Sequence, residues 1–237
     1  MTAAALDPAL ELATLHGRVV LITGGSRGLG AAIASTLGAA GMRLVLADIA
    51  VQRVQDFAAV LAEHDIDAIA LPLDVSDPVQ CAQAIDRVAQ RFGRLDALVI
   101  NAAVDTTAPL GELSVADWHR IVANNFGAPF MLSNHAVALM AKQQHGHIVN
   151  ITSRAASSTA PIAGTEHAAE CGPPRLSHSL HAELRPQGIK VTALDAGGRR
   201  TPFIGQRFRG NHTDRSHYPM LAQVVRSVLR QPISATL

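Results

Sequence analysis

The chain has 237 residues, the length of one large α/β domain, and 48% of them are apolar while 16% are charged. This composition excludes an intrinsically disordered chain. The formal net charge is +1 and no basic block is present, so nothing in the charge pattern points to a nucleic-acid or membrane partner. No apolar run reaches the length of a membrane span. The two cysteines, Cys81 and Cys171, are isolated, which predicts a reducing, cytoplasmic compartment.

In chain order, short apolar runs alternate with longer segments of helical periodicity. Residues 1–15 contain Asp7 and Glu11 but no arginine, and we expect an N-terminal extension that is neither a signal nor a transit peptide. The predicted strands are Arg18–Thr23, Arg43–Ala47, Asp67–Leu73, Asp96–Ile100, His147–Thr152 and Ile189–Leu194. The predicted helices are Gly28–Ala40, Val51–His64, Pro78–Phe92, Val115–Asn125, Pro129–His145, Pro174–Leu184 and Tyr218–Arg230.

This βαβα alternation predicts an α/β fold of the Rossmann type, a doubly wound parallel sheet with helices on both faces. No internal boundary or repeat interrupts residues 16–237, so we expect a single domain there. Only Ile233–Leu237 remain after the last predicted helix, and the last edge strand should therefore be short or absent.

A glycine-rich turn joins the first predicted strand to the first predicted helix. Glycines let the backbone turn tightly and approach a pyrophosphate, and the helix start offers free N–H groups and the positive end of its dipole. An ordinary glycine-rich turn is the alternative, but the position between a strand and a helix favours cofactor binding. The residues expected to contact the cofactor here are Gly24, Ser26, Arg27, Gly28, Leu29 and Gly30.

Asp48 ends the second predicted strand and points to NAD as the cofactor. A carboxylate at this place can accept both adenosine ribose hydroxyls and would repel a 2′-phosphate. Arg27 in the glycine turn is an observation against this choice, since an arginine there could hold a 2′-phosphate. We favour NAD because the charge of Asp48 would need neutralising before a phosphate could bind.

Two further strand ends carry candidate cofactor contacts. Asp74-Val75 follows the third predicted strand, and Asn101-Ala102 follows the fourth. Both ends lie at the carboxyl edge of a parallel sheet, where ligands bind in open α/β folds. Together with Asp48 and the glycine turn they outline one cleft.

These motifs resemble the short-chain dehydrogenase/reductase family over roughly His16 to Phe203. TGGSRGLG is similar to the glycine motif of that family, Asp74-Val75 to its adenine contact, and Asn101-Ala102-Ala103 to its Asn-Ala-Gly motif. Asn125 in NFGAPF matches the helix asparagine of the family and Ser153 in IVNITS its catalytic serine. The resemblance implies a nicotinamide cofactor, a hydride-transfer reaction on an alcohol or carbonyl, and a homodimer or homotetramer.

The chain departs from the family pattern at the two residues that handle the proton. The resemblance implies a tyrosine thirteen residues after Ser153 and a lysine four residues further on, and these positions hold Glu166 and Glu170. In the family the tyrosine exchanges the proton at the substrate oxygen, while the lysine lowers the pKa of the tyrosine and holds the nicotinamide ribose. We therefore expect an NAD(H)-binding homologue that is catalytically impaired or inactive, acting as a sensor or partner subunit.

An alternative is a divergent NAD-dependent oxidoreductase in which Glu166 or a histidine supplies the proton. A structural relic without cofactor is a third reading, opposed by the intact glycine turn and Asp48. Spacing defines no metal site, and the substrate cannot be named from the sequence.

Gly172-Pro173-Pro174 is a second departure. Proline inside a helix removes a hydrogen bond and clashes with the preceding turn, whereas it is favoured at a helix start. The sequence thus predicts that a helix begins afresh near Pro173, leaving Glu166 and Glu170 on a separate turn or irregular loop.

Overall fold

The computed structural model describes residues 14–106, 108–152, 164–196 and 217–232. Most of the expected extension (1–15) and the candidate last strand (233–237) lie outside the described residues. The strands are β1 (Val19–Thr23), β2 (Arg43–Asp48), β3 (Ala68–Pro72), β4 (Ala97–Ile100), β5 (Gly146–Thr152) and β6 (Ile189–Asp195). Within the described ranges these six parallel strands form one sheet in the order β3-β2-β1-β4-β5-β6.

Helices cover both faces of this sheet, which confirms the predicted doubly wound α/β fold. The helices are α1 (Gly28–Ala39), α2 (Val51–Ala62), α3 (Pro78–Phe92), α4 (Val115–Val122), α5 (Ala128–Gln143), α6 (Gly164–Leu184) and α7 (His217–Arg230). The first core layer packs α1, α2 and α7 on one face, and the second packs α3, α5 and the end of α6 on the other.

The central strand β1 shows why this sequence needs two layers of helices. Successive strand residues point to opposite faces, and all five residues of β1 are buried. Val20 and Ile22 enter the first core layer, whereas Val19 and Leu21 enter the second. A strand that is apolar on both faces is typical of a parallel sheet covered on both sides.

Helix α6 contradicts the predicted break at the proline pair. It runs without interruption from Gly164 to Leu184, with Pro173 and Pro174 inside it. The prediction that Glu166 and Glu170 lie on a separate turn or loop is therefore wrong.

Tertiary contacts explain how the helix tolerates the two prolines. The backbone of Gly172 lies so close to Phe126 that a Cβ atom at residue 172 would come within 2.5 Å of the phenylalanine ring. The Ser177 hydroxyl donates to the Pro173 carbonyl oxygen at 2.7 Å and accepts from the Asn150 amide of β5 at 2.8 Å. Packing against Phe126 and anchoring to the sheet thus hold a helical path that local propensity opposes.

Candidate active site

The glycine turn has the geometry of a backbone cradle. Gly24 and Gly28 have φ angles of +62° and +56°, a region that side chains rarely allow. At Gly30 a Cβ atom would overlap the carbonyl oxygen of Gly24, so the third glycine permits the close packing of α1 on the turn. No described side chain caps the start of α1, and no acidic residue lies in its first turn. These residues fit an anionic group such as a cofactor pyrophosphate.

Asn101 and Ala102 act on this turn through Thr23. The backbone N–H groups of Asn101 and Ala102 donate to the Thr23 hydroxyl at 3.0 and 3.1 Å. The Asn101 side-chain amide donates to the Thr23 carbonyl at 3.0 Å and to that of Gly24 at 3.4 Å. Asn101 therefore braces the turn from the neighbouring strand end.

Asp48 lies buried at the end of β2 and is surrounded by donors. Its carboxylate accepts from the Ser26 hydroxyl at 2.5 Å and from the Ala50 N–H at 3.0 Å. Arg53 adds an ion pair at 3.3 Å, and its Nε donates to the Ser26 hydroxyl at 2.8 Å. The glycine turn and β2 are thus joined through one Ser26–Asp48–Arg53 cluster.

Arg53 was not among the residues predicted from the sequence. It lies in the first turn of α2, five residues beyond Asp48, and its side chain is 43% exposed. The exposure leaves the guanidinium able to turn toward solvent or toward a ligand. The predicted preference for NAD assumed that no nearby cation neutralises Asp48. Arg53 is such a cation.

Asp74 and Val75 follow β3 at the same sheet edge. The Asp74 carboxylate accepts from the N–H and hydroxyl groups of Ser76 at 2.9 and 2.7 Å. The Val75 carbonyl accepts from the buried Cys81 thiol at 3.3 Å, and burial raises the pKa of this thiol to about 11. This loop is locally ordered by its own hydrogen bonds.

Asn125 lies in a π-helical turn, Ala123–Gly127, between α4 and α5. Such turns often occur at functional sites because they redirect one side chain of a helix. The Asn125 side chain donates to the Val104 carbonyl at 2.8 Å and accepts from the Val104 N–H at 2.9 Å. Its amide also donates to the Glu170 carboxyl oxygen at 3.3 Å.

Helix α6 therefore brings two predicted site residues together, Asn125 and Glu170, across 45 positions of sequence. Glu166 lies one turn earlier on the same helix, and both glutamates are buried, at 7% and 5% exposure. Ser153 lies outside the described residues.

Tyr218, the only tyrosine, is a second residue that the sequence did not place at the site. It lies buried at the start of α7, which packs along α1. The Tyr218 hydroxyl would be 3.9 Å from a Cβ atom on Gly28, so it borders the glycine turn. The long-range packing of α7 on α1 brings it there, and no local sequence signal indicates that approach.

Two kinds of site are absent from the described residues. They contain no group of three or more histidine, cysteine, aspartate or glutamate side chains that could hold a metal ion. No helix within them is both long and apolar enough to cross a membrane.

Comparison with known proteins agrees with the fold. The family model described as "short chain dehydrogenase" matches residues 18–211, and the chain belongs to this family. A short chain dehydrogenase/reductase of Colletotrichum higginsianum, dpchG, is 37% identical over 187 residues, covering 77% of this chain and 69% of the relative. The cis-4-hydroxycyclohexanecarboxylate dehydrogenase of Sinomonas cyclohexanicum is 33% identical over 188 residues, covering 79% and 75%.

Solved structures are similar over nearly the whole chain. A metagenomic short-chain oxidoreductase in complex with NADP has a TM-score of 0.83 and 28% identity, covering 94% of this chain and 96% of that one. A putative short-chain alcohol dehydrogenase from Sinorhizobium meliloti has a TM-score of 0.84 and 26% identity, covering 94% of each chain.

Proposed function

We propose that this member of the short-chain dehydrogenase family binds NAD(H) at the carboxyl edge of its sheet and is impaired in hydride-transfer turnover. The observation that carries the proposal is the direct hydrogen bond between Asn125 and Glu170. It supports placing Glu170 where the resemblance implies a lysine, beside an otherwise intact cofactor cleft. A sensor or a partner subunit is the role that such a protein would serve.

Cofactor binding is supported by the glycine turn and the Asp48 cluster. Gly24 and Gly28 give the turn its positive φ angles, Gly30 lets α1 pack against it, and Asp48 can accept the adenosine ribose hydroxyls. The bound nicotinamide supplies the hydride acceptor or donor. Tyr218 borders the turn.

The preference for NAD over NADP rests on Asp48 and is moderated by Arg53. NAD is favoured because the buried Asp48 carboxylate would face a 2′-phosphate. Arg53 neutralises part of that charge and is exposed enough to turn toward a phosphate. We therefore expect a smaller discrimination against NADP than a lone aspartate would give.

Impaired turnover follows from the charge at Glu170. Carbonyl reduction develops negative charge on the substrate oxygen, and a lysine or a neutral proton donor would stabilise it. A carboxylate at this place repels an oxyanion and cannot supply the positive charge of an ammonium group. Asn125 remains a donor, but its amide is shared between Val104 and Glu170.

Glu166 supports the second candidate function, a divergent oxidoreductase. Its side chain is buried, at 7% exposure, one turn before Glu170 on the same helix. A protonated Glu166 carboxyl group could donate a proton to a substrate oxygen. Turnover that depends on Glu166 would favour this function over the first.

Assembly and compartment stay predictions. A homodimer or homotetramer is proposed from the resemblance. Phe126 in the π-helical turn and Phe130 in α5 offer exposed apolar surface, at 43% and 56%. The cytoplasmic location is proposed from the isolated cysteines.

Calorimetric titration with NAD, NADH, NADP and NADPH tests the cofactor assignment. We expect NAD to bind more tightly than NADP, and Asp48→Ser to weaken NAD and reduce the discrimination. Arg53→Met should weaken NADP more than NAD. Asp56→Asn removes a carboxylate from the exposed face of α2 and is the matched control. Equal affinity of the parent for NAD and NADP would refute the NAD preference.

A further inference from the structure

The Asp48 carboxylate is fully hydrogen-bonded by groups of the protein itself. Its Oδ2 accepts from the Ser26 hydroxyl at 2.5 Å and from the Ser26 N–H at 3.4 Å. Its Oδ1 accepts from the Ala50 N–H at 3.0 Å and from Nη2 of Arg53 at 3.3 Å. An ionised carboxylate has about four acceptor positions, and these donors occupy them all. Ribose hydroxyls can therefore bind to Asp48 only if a protein donor leaves.

Arg53 is the donor that can leave with the least disturbance. Ser26 is buried in the glycine turn, and the Ala50 N–H belongs to the backbone that leads into α2, so neither can move without shifting the chain around it. Arg53 is a flexible side chain that is 43% exposed, and its ion pair with Asp48 is long, at 3.3 Å. Exposed ion pairs contribute little to stability because water competes for both charges. Displacing Arg53 thus costs less than breaking the backbone contacts.

Ser26 helps to hold Arg53 on the carboxylate. Nε of Arg53 donates to the Ser26 hydroxyl at 2.8 Å while Nη2 donates to Asp48, so the guanidinium is held at two points. A ribose hydroxyl that takes the place of Arg53 on Asp48 has to break both contacts. Removal of Arg53 should therefore be measurable in the affinity for NAD.

We propose that Arg53 is a specificity-determining latch of the cofactor site: it closes over Asp48, opens when the adenosine ribose binds, and pairs with the 2′-phosphate when the ligand is NADP. The inference rests on the proposed cofactor site and adds a competition that the charge of Asp48 alone does not give. NAD breaks the contacts of Arg53 and offers the guanidinium no new partner. NADP breaks the same contacts, and its phosphate replaces them with a bidentate pair.

Calorimetric titration with NAD and with NADP tests the latch. The proteins compared are the parent, Arg53→Met, Asp48→Asn, the double variant with both changes, and Arg87→Met. Methionine keeps most of the length of the arginine side chain without its hydrogen-bond donors. Arg87 is exposed in the middle of α3 and controls for net charge. Thermal unfolding of each variant shows whether it is folded.

We expect Arg53→Met to tighten NAD by about twofold to tenfold, the effect of removing an exposed ion pair and a hydrogen bond that compete with the ribose. The same change should weaken NADP by about tenfold, the effect of losing a hydrogen bond to a charged group. The tightening of NAD should vanish in the Asp48→Asn background. It should also shrink at high ionic strength, which screens the ion pair of the parent. Arg87→Met should match the parent.

Two results would overturn the latch and leave the proposed cofactor site standing. One is NAD binding to the parent that is unchanged or weaker in Arg53→Met. The other is a tightening that persists undiminished in the Asp48→Asn background, because Arg53 would then not act through Asp48. Failure of NAD to bind to any of these proteins would instead overturn the cofactor site, and the latch with it.

Discussion

Replacing Pro174 with alanine should make the protein more stable, because the structure places this proline inside a continuous helix. Pro174 is half-buried in α6 and has no N–H to donate toward the carbonyl of Glu170, one turn before it. An interior proline costs about 3 kcal/mol relative to alanine. The alanine variant loses part of the packing of the proline ring, which offsets this stabilisation by about 1 kcal/mol, at about 0.8 kcal/mol per buried methylene.

The net gain is therefore about 2 kcal/mol in the free energy of unfolding. At about 2–4 °C per kcal/mol for a domain of this size, the midpoint should rise by about 4–8 °C. Differential scanning calorimetry and urea unfolding of the parent and Pro174→Ala measure the change. Pro186→Ala is the control, since Pro186 lies in the first turn of a short 3₁₀ helix, Arg185–Gln187, where proline is tolerated.

The opposite result would refute the reasoning. If a helix instead began near Pro173, Pro174 would occupy a favourable first turn, and its replacement would be neutral or destabilising. An unfolding midpoint that is unchanged or lower for Pro174→Ala, as expected for the control Pro186→Ala, would show that α6 is interrupted. Glu166 and Glu170 would then not share one helix with Pro174.

Three further predictions concern charge and proton transfer. Glu166→Tyr with Glu170→Lys should raise NADH oxidation over a panel of ketones by at least about a hundredfold, with both prolines retained; unchanged rates would show that the site lacks more than these two groups. Glu170→Gln should shift affinity from NAD toward NADH, because oxidised nicotinamide is positively charged and favours a nearby carboxylate; calorimetry showing an unchanged ratio would contradict this. The native pKa of His147, about 3, lies below its unfolded value of 6.5, so its stabilising contribution is complete above pH 6.5 and is lost progressively toward pH 3. Between pH 7 and pH 5 the titration of His147 should therefore lower the free energy of unfolding of the parent by about 2 kcal/mol, as measured by urea unfolding. His147→Gln should abolish this loss, whereas the exposed His178→Gln should leave it unchanged.

The strands and most helices were predictable because their signals are local. Val19–Thr23 is apolar on both faces, and Thr23 to Gly30 has the composition of a phosphate-binding turn, so alternation and turn chemistry sufficed. The continuity of α6 was not predictable. It depends on the approach of Phe126 to Gly172, a contact between residues 46 positions apart that no local propensity reports.

The candidate site was predictable only in part for the same reason. Asp48 is recognisable from its place at a strand end, whereas its pairing with Arg53 depends on the direction in which α2 leaves the sheet. The approach of Tyr218 to the glycine turn needs the packing of α7 on α1. Asn125 contacts Glu170 because α6 continues through the proline pair, where the sequence predicts a break.

NADH fluorescence followed over time tests most directly whether the protein binds the cofactor without turning it over. The purified protein is mixed with NADH and a panel of small ketones and quinones, and the emission is recorded from mixing onward. We expect a saturable change in emission on binding, followed by no decay beyond that of NADH with the same ketone or quinone but without protein. Decay at a rate near the roughly 10 s⁻¹ typical of enzymes would contradict impaired turnover, and the absence of any binding signal would contradict the cofactor site itself.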